Sequence, residues 1–175
     1  MIFSPVALAG AWVIEPERLE DERGFFARSF CQKEFEARGL NPHVAQCNIS
    51  FNVHKGTVRG MHYQSPSGEA KLVRCTRGAI FDIIIDLRPE SPTFRKHFGV
   101  VLSEENRSML YIPEDFAHGF QTMEEDTEVF YLMSEFYIPE NSHGVRWDDP
   151  AFGICWPEEV KVISERDRTY PDFIL

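Results

Sequence analysis

Apolar and polar side chains alternate in short runs along the middle of the chain, and turn formers separate the runs. Val44 to Phe51, Val58 to Gln64, Lys71 to Cys75 and Ala79 to Arg88 are the first four. Phe98 to Leu102, Met109 to Ile112, His118 to Met123 and Glu128 to Tyr137 follow. Period-two patterning over segments of this length specifies strands. The run from Ala79 to Arg88, entered through Gly78, is the clearest, with Phe81, Ile83, Ile85 and Leu87 on one face. Val58 to Gln64 puts Val58, Gly60, His62 and Gln64 on one face and Arg59, Met61 and Tyr63 on the other. Ser65 to Gly68 is a cluster of turn formers, so this run and Lys71 to Cys75 read as two strands of one hairpin.

Outside these runs the pattern is thinner. A short edge strand is expected around Ala11 to Ile14, and a turn at Arg23-Gly24 leads into a strand rich in phenylalanine. Lys33 to Arg38, stopped by Gly39, is the best helix. From Pro139 onward the chain is less regular, yet Phe152, Ile154 and Trp156 make it too apolar to be disordered, so it is expected to pack on the strands. Short strands about every 10 residues, with almost no helix, specify an all-β sandwich or barrel. No linker or repeat interrupts it, so residues 1–175 are expected to form a single domain.

Composition narrows the function. The net charge of −10 excludes a general nucleic-acid binder but not a small anionic ligand, for which a few converging arginines suffice. No apolar run approaches the length of about 20 residues that a membrane helix requires, and the first residues lack the pattern of a signal peptide. Cys31, Cys47, Cys75 and Cys155 are widely spaced, as expected for free thiols in the cytoplasm. No nucleophile elbow, phosphate loop or dinucleotide fingerprint is present.

Few residues are left to carry chemistry. His62-Tyr63-Gln64 lacks the second histidine of a jelly-roll metal site, and His118 could be a lone ligand at best, so no metal is expected. His62 has the residue type of a general base, or is a satisfied core histidine. Tyr131 shares a face with Val129 and Met133, either as a core aromatic or as a donor to a ligand. Asp167, in Ser-Glu-Arg-Asp-Arg, reads as part of a solvated charge run.

Nine segments in order add a resemblance. They are Asp21-Glu-Arg-Gly-Phe-Phe, Gln46-Cys-Asn-Ile-Ser, Val58-Arg-Gly-Met-His-Tyr-Gln, Lys71-Leu-Val-Arg, Asp86-Leu-Arg-Pro-Glu-Ser-Pro-Thr-Phe, Leu102-Ser-Glu-Glu-Asn, Ile112-Pro-Glu-Asp-Phe-Ala-His-Gly-Phe, Trp147-Asp-Asp-Pro and Ser164-Glu-Arg-Asp. The chain resembles the dTDP-4-dehydrorhamnose 3,5-epimerase family over essentially its whole length. The resemblance implies a cupin-type jelly roll, a double-stranded β-helix with short peripheral helices. It implies a homodimer that exchanges its N-terminal strand. The implied activity needs no metal or cofactor and inverts C3 and C5 of a nucleotide-diphosphate 4-keto-6-deoxyhexose, in deoxysugar biosynthesis.

By that resemblance the base falls on His62, its carboxylate partner on Asp167 and the proton-donating tyrosine on Tyr131. Lys71 and Arg59 are the candidates for stabilising the enolate. Arg23, Phe26, Gln46, Asn48 and Arg59 match positions around the nucleotide and diphosphate, with Arg23 and Phe26 donated by the neighbouring subunit. Tyr137 is expected to stack on the base or sugar, and His118 to line the pocket near His62. Two departures stand out. Arg28 and His143 occupy positions where the family commonly has glutamate, which points to a different base, sugar or charge on the substrate. The competing readings are a C3-only or C5-only epimerase, a non-catalytic ligand-binding cupin and a metal-dependent oxygenase.

Overall fold

The computed structural model describes residues 1–174 as two facing sheets. The first holds, in spatial order, β1 (Ile2–Pro5), β2 (Trp12–Glu15), β10 (Met109–Ile112), β7 (Lys71–Arg77), β12 (Thr127–Met133) and β5 (Gln46–Asn52). The second holds β13 (Ser142–Gly144), β6 (Thr57–Gln64), β11 (Phe116–Thr122), β8 (Ala79–Asp86) and β9 (His97–Ser103), with β14 (Val162–Ile163) beside β6. A separate hairpin, β3 (Leu19–Asp21) and β4 (Gly24–Phe26), and two short helices, α1 (Gln32–Glu36) and α2 (Glu165–Arg168), lie outside the sheets. This is the expected jelly roll with short peripheral helices.

Burial explains the layering. Val73, Cys75, Leu110, Ile112 and Val129 of the first sheet pack between the sheets against Ile80, Ile84, Leu102, Phe116 and Phe120 of the second. Phe35 of α1 covers the outer face of the first sheet at Ile14, Leu72, Met109 and Tyr111. The C-terminal segment covers the outer face of the second, where Val145 and Phe152 meet Met61, Ile83, Ile85 and Ala117. Phe81, Ile83, Ile85 and Leu87 do share that face, and Phe152, Ile154 and Trp156 pack against it as expected. The helix begins one residue earlier and ends two residues earlier than its pattern suggested, at Glu36, and the turn after it closes at Gly39 in the left-handed conformation (φ +69°).

Three expectations fail for physical reasons. The runs on either side of Ser65–Gly68 are not a hairpin: β6 pairs with β11 and β13, whereas β7 pairs with β10 and β12. The turn instead carries the chain from one sheet to the other, so His62 and Lys71 approach the interior from opposite walls. Alternation along β6 also breaks. His118 stands opposite His62 and Phe120 opposite Arg59, so three steps on β6 match two on β11. The extra residue turns both Arg59 and His62 toward the interior. Gly60 sits at this irregularity with φ +130°, and a Cβ there would lie 2.5 Å from Gly119 Cα. The last strand is also shorter than expected. β12 stops at Met133 because the Tyr137 and Ile138 N–H groups donate to the Gln46 and Gln64 side chains, at 2.9 and 2.7 Å, instead of to a strand.

A polar knot closes one end of β8. Asp86 is fully buried and accepts hydrogen bonds from Arg88 Nε and Nη2 (2.8 and 2.7 Å), Ser91 Oγ (2.5 Å) and Thr93 Oγ1 (2.6 Å). Burial pushes its pKa up, but these donors outweigh burial and hold it at about 2. Its folded pKa lies below the unfolded value of 3.8, so its contribution is present above that value and disappears as pH falls from about 4 to about 2. Asp86→Ala is expected to lower unfolding stability in urea at pH 7 by about 3 kcal/mol. The difference from wild type should shrink at pH 2 to 3.

Candidate active site

Between the sheets, at the end bounded by β5, β6, β7, β11 and β12, lies a cavity of about 850 Å³. That volume suits a small organic ligand. His62 projects into it from β6 and remains 40% exposed, with Nε2 2.7 Å from Asp167 Oδ1. Asp167 is buried and does not belong to a solvated charge run. β14 runs parallel to β6, pairing Val162 with Thr57 and Ile163 with Val58, and so delivers α2 beside Gly60. Ser164 caps that helix by accepting from the Asp167 N–H at 3.1 Å. The β6 irregularity frees the Gly60 N–H, which donates to Asp167 Oδ2 at 3.2 Å.

Burial pushes the Asp167 carboxyl up, but His62, Gly60 and Ser164 together hold it below the usual carboxylate range. An ionised Asp167 can only accept, so it fixes the proton on His62 Nε2 and leaves Nδ1 as the acceptor nitrogen of the neutral ring. The Tyr170 ring meets the imidazole edge-on at 6.3 Å and backs it from behind. Next to this pair stands a second one. His118, the cross-strand neighbour of His62, bonds the fully buried Asp82 through Nε2 at 2.7 Å.

The facing wall carries cations and donors. Lys71 on β7 is buried and paired with Glu69 at 2.6 Å. Tyr131 on β12 faces the cavity. Burial raises its pKa, opposed by Arg59 and reinforced by Glu69, so the hydroxyl keeps its proton at neutral pH. Gln46 and Asn48 line the β5 side, both with amides beside Met133 Sδ. Arg59 reaches in from β6. At the mouth, Arg166 of α2 donates to Ser142 O and Oγ at 3.0 and 2.9 Å. Ser142 and Arg166, beside its hydroxyl, hold Tyr137 below the usual tyrosine range.

Of the residues singled out in the sequence, His62, Tyr131, Asp167, Gln46, Asn48, Arg59, Lys71, His118 and Tyr137 all line this one cavity. Four others do not. Arg23 is bound to Asp21 at 2.5 Å on the exposed β3–β4 hairpin, and Phe26 is 70% exposed there. Arg28 pairs with Glu34 at 3.1 Å near α1, and His143 lies over Tyr63 at 5.6 Å outside the lining. Sequence reasoning missed Glu69, Gln64, Ser142 and Arg166. The spacing of Ser164 and Asp167, that of a helix N-cap and its third residue, was the available sign that the last segment is ordered. Among the described residues no three His, Cys, Asp or Glu side chains converge as a metal site.

Fold and cavity together define a class: a jelly-roll protein whose interior presents an imidazole–carboxylate base opposite a protonated tyrosine and a lysine. Comparison with known proteins gives the family. Residues 5–174 match the family model described as dTDP-4-dehydrorhamnose 3,5-epimerase. A dTDP-4-dehydrorhamnose 3,5-epimerase of Sinorhizobium fredii is 42% identical over 98% of this chain and 89% of its own length. One from Methanothermobacter thermautotrophicus is 44% identical over 96% and 92%. The crystal structure of dTDP-4-dehydrorhamnose 3,5-epimerase from Elizabethkingia anophelis superposes with a TM-score of 0.95, at 39% identity, over 99% of this chain and 96% of the other. The chain belongs to the dTDP-4-dehydrorhamnose 3,5-epimerase family.

Proposed function

We propose that this chain is an isomerase that inverts C3 and C5 of a dTDP-linked 4-keto-6-deoxyhexose, with His62 as base and Tyr131 as acid. The observation that carries the reading is their placement on opposite sheets across one cavity. The ketone at C4 acidifies the protons on both neighbouring carbons. His62 Nδ1 removes them one after the other, and Asp167 favours the imidazolium that forms each time. Lys71, fixed beside the cavity by Glu69, offers its remaining N–H donors to the enolate oxygen. Inversion requires a proton from the other face, and the Tyr131 hydroxyl stands on the wall opposite His62 to give it. Arg59 and Arg166 leave the sugar end and suit a diphosphate, for which a guanidinium fork provides paired, charge-assisted bonds. None of these steps draws on a metal or cofactor. Incubating the protein with dTDP-4-keto-6-deoxyglucose and following the sugar by NMR tests the activity. Appearance of the doubly inverted sugar supports it, and unchanged starting material contradicts it.

The same reading makes the protein a homodimer in which the β3–β4 hairpin completes the neighbour's site, and places it in the cytoplasm with its four free thiols. Two observations support the dimer. Leu19 and Phe26, paired across the hairpin, are 67% and 70% exposed. On the open end of the first sheet, Ile49 and Phe51 are 65% and 46% exposed beside Phe130. Both features are costly for an isolated chain. Mixing inactive Arg23→Ala and His62→Ala proteins, with subunit exchange, should restore up to about a quarter of wild-type activity, because one site in half of the dimers is then intact. No recovery would place Arg23 outside the neighbour's site. Of the two departures, Arg28 is occupied by Glu34, so His143, the neighbour of the cavity-lining Ser142, remains the one suited to altering nucleotide choice. A strong measured preference for dTDP over other carriers would remove that role from it.

A further inference from the structure

We propose that Asn52, which does not line the cavity, is the residue that aims Arg59 at the substrate's diphosphate. The inference rests on the reading of Arg59 given above. Asn52 ends β5 and is 2% exposed. Its Nδ2 donates to two backbone carbonyls, Ser50 O and Thr127 O, each at 3.2 Å. Carbonyls can only accept, so this pair of bonds fixes which way the amide faces and leaves Oδ1 as the acceptor on the other side. Arg59 Nε donates to that oxygen at 2.6 Å.

Occupying Nε has a chemical consequence. A guanidinium can grip an oxyanion side-on, through Nε and one Nη, or end-on, through both Nη groups. With Nε held by Asn52 only the end-on mode remains. Among the described residues neither Nη group of Arg59 donates to a protein acceptor, so both are available to the ligand. The arginine side chain is long and otherwise exposed, and a partner anchored to two strands removes the rotamer freedom that binding would have to freeze out. Asn52 thereby joins β5, β12 and β6 at one point and turns a mobile cation into a fixed fork. Asn52 is a positioning residue, because it acts through Arg59 and touches no substrate.

Its test separates the anion from the rest of the ligand. Binding of dTDP, inorganic pyrophosphate and thymidine would be measured by calorimetry or NMR titration for wild type, Asn52→Ala, Arg59→Ala and the double variant. Asn52→Ala is expected to weaken dTDP and pyrophosphate about 10-fold, the scale of one hydrogen bond to a charged group, while thymidine is unaffected. Added to Arg59→Ala, it should cost nothing further. Equal weakening of thymidine, or losses that add in full, would overturn the inference, since either shows that Asn52 acts on the fold and not through Arg59. Asn52→Ser keeps one donor for the carbonyls on a side chain shorter than the reach to Arg59 Nε, and it reads the same coupling should the alanine variant not fold. If pyrophosphate follows the expected pattern while dTDP does not bind, Asn52 keeps its role and the dTDP reading falls. If wild type binds neither anion, both fall.

Discussion

Replacing His62 with alanine is expected to lower the rate of epimerisation by about 1,000-fold, the typical worth of a positioned general base. Unfolding stability should barely change, because His62 is 40% exposed and its bond to Asp167 is the only one it makes among the described residues. Asp167→Asn is the companion test. An asparagine amide in that place can present an N–H to His62, which would draw the lone pair to Nε2 and leave Nδ1 protonated toward the substrate. The base nitrogen is then lost with the imidazole still in position. The rate should fall by about 100-fold or more, with substrate affinity nearly intact. Retention of full activity in either variant would remove the pair from the chemistry.

Tyr131→Phe should have an effect of similar size but of a different kind. Without the hydroxyl, inversion has no proton donor on its face, and the rate of product formation is expected to drop by about 100- to 1,000-fold. His62 is untouched, so it can still remove a proton and return one from solvent to the same face. In heavy water the starting sugar should therefore gain deuterium without inverting. Loss of exchange together with loss of inversion would show that Tyr131 is needed for deprotonation, and its place as the acid would fall. Because burial raises the Tyr131 pKa above its ordinary value, wild-type activity should persist to the alkaline side of pH 9 before this group limits it.

How much of this was legible in the sequence differs by element. Strands β8, β10 and β11 have both faces buried and turn formers around them, so short runs bounded by turns were enough to locate them. The pairing of β6 and β7 was not legible. A turn sequence specifies a reversal but not whether the next strand joins the same sheet or the opposite one. The face of Arg59 was misassigned for a related reason, since the irregularity at Gly60 depends on contact with Gly119, 59 residues away in the chain. On β5 the exposed positions are Cys47, Ile49 and Phe51, while the polar Gln46, Asn48 and Ser50 alternate onto the cavity side, so apolar alternation points to the wrong face.

In the site, residue types mattered more than pattern. Tyr131 and Lys71 lie on strands whose inward faces alternation marks, whereas on β6 alternation breaks and residue type alone singled out His62. Asp167 lies on a helix of four residues within charged sequence, and nothing in its own neighbourhood shows that β14 carries it under β6. Only the resemblance placed it. Glu69 and Asn52 escaped because each acts through a partner, Lys71 and Arg59, and pairing of that sort is visible only in three dimensions.

In the proposed mechanism one base, His62, serves both carbons that flank the ketone. The measurement that meets it most directly is deuterium incorporation from heavy water into dTDP-4-keto-6-deoxyglucose, followed by NMR at C3 and C5 with wild-type protein and with His62→Ala. The wild type is expected to incorporate deuterium at both carbons and the variant at neither. Incorporation at one carbon alone would make the protein a single-centre epimerase, and incorporation that survives loss of His62 would contradict the mechanism outright.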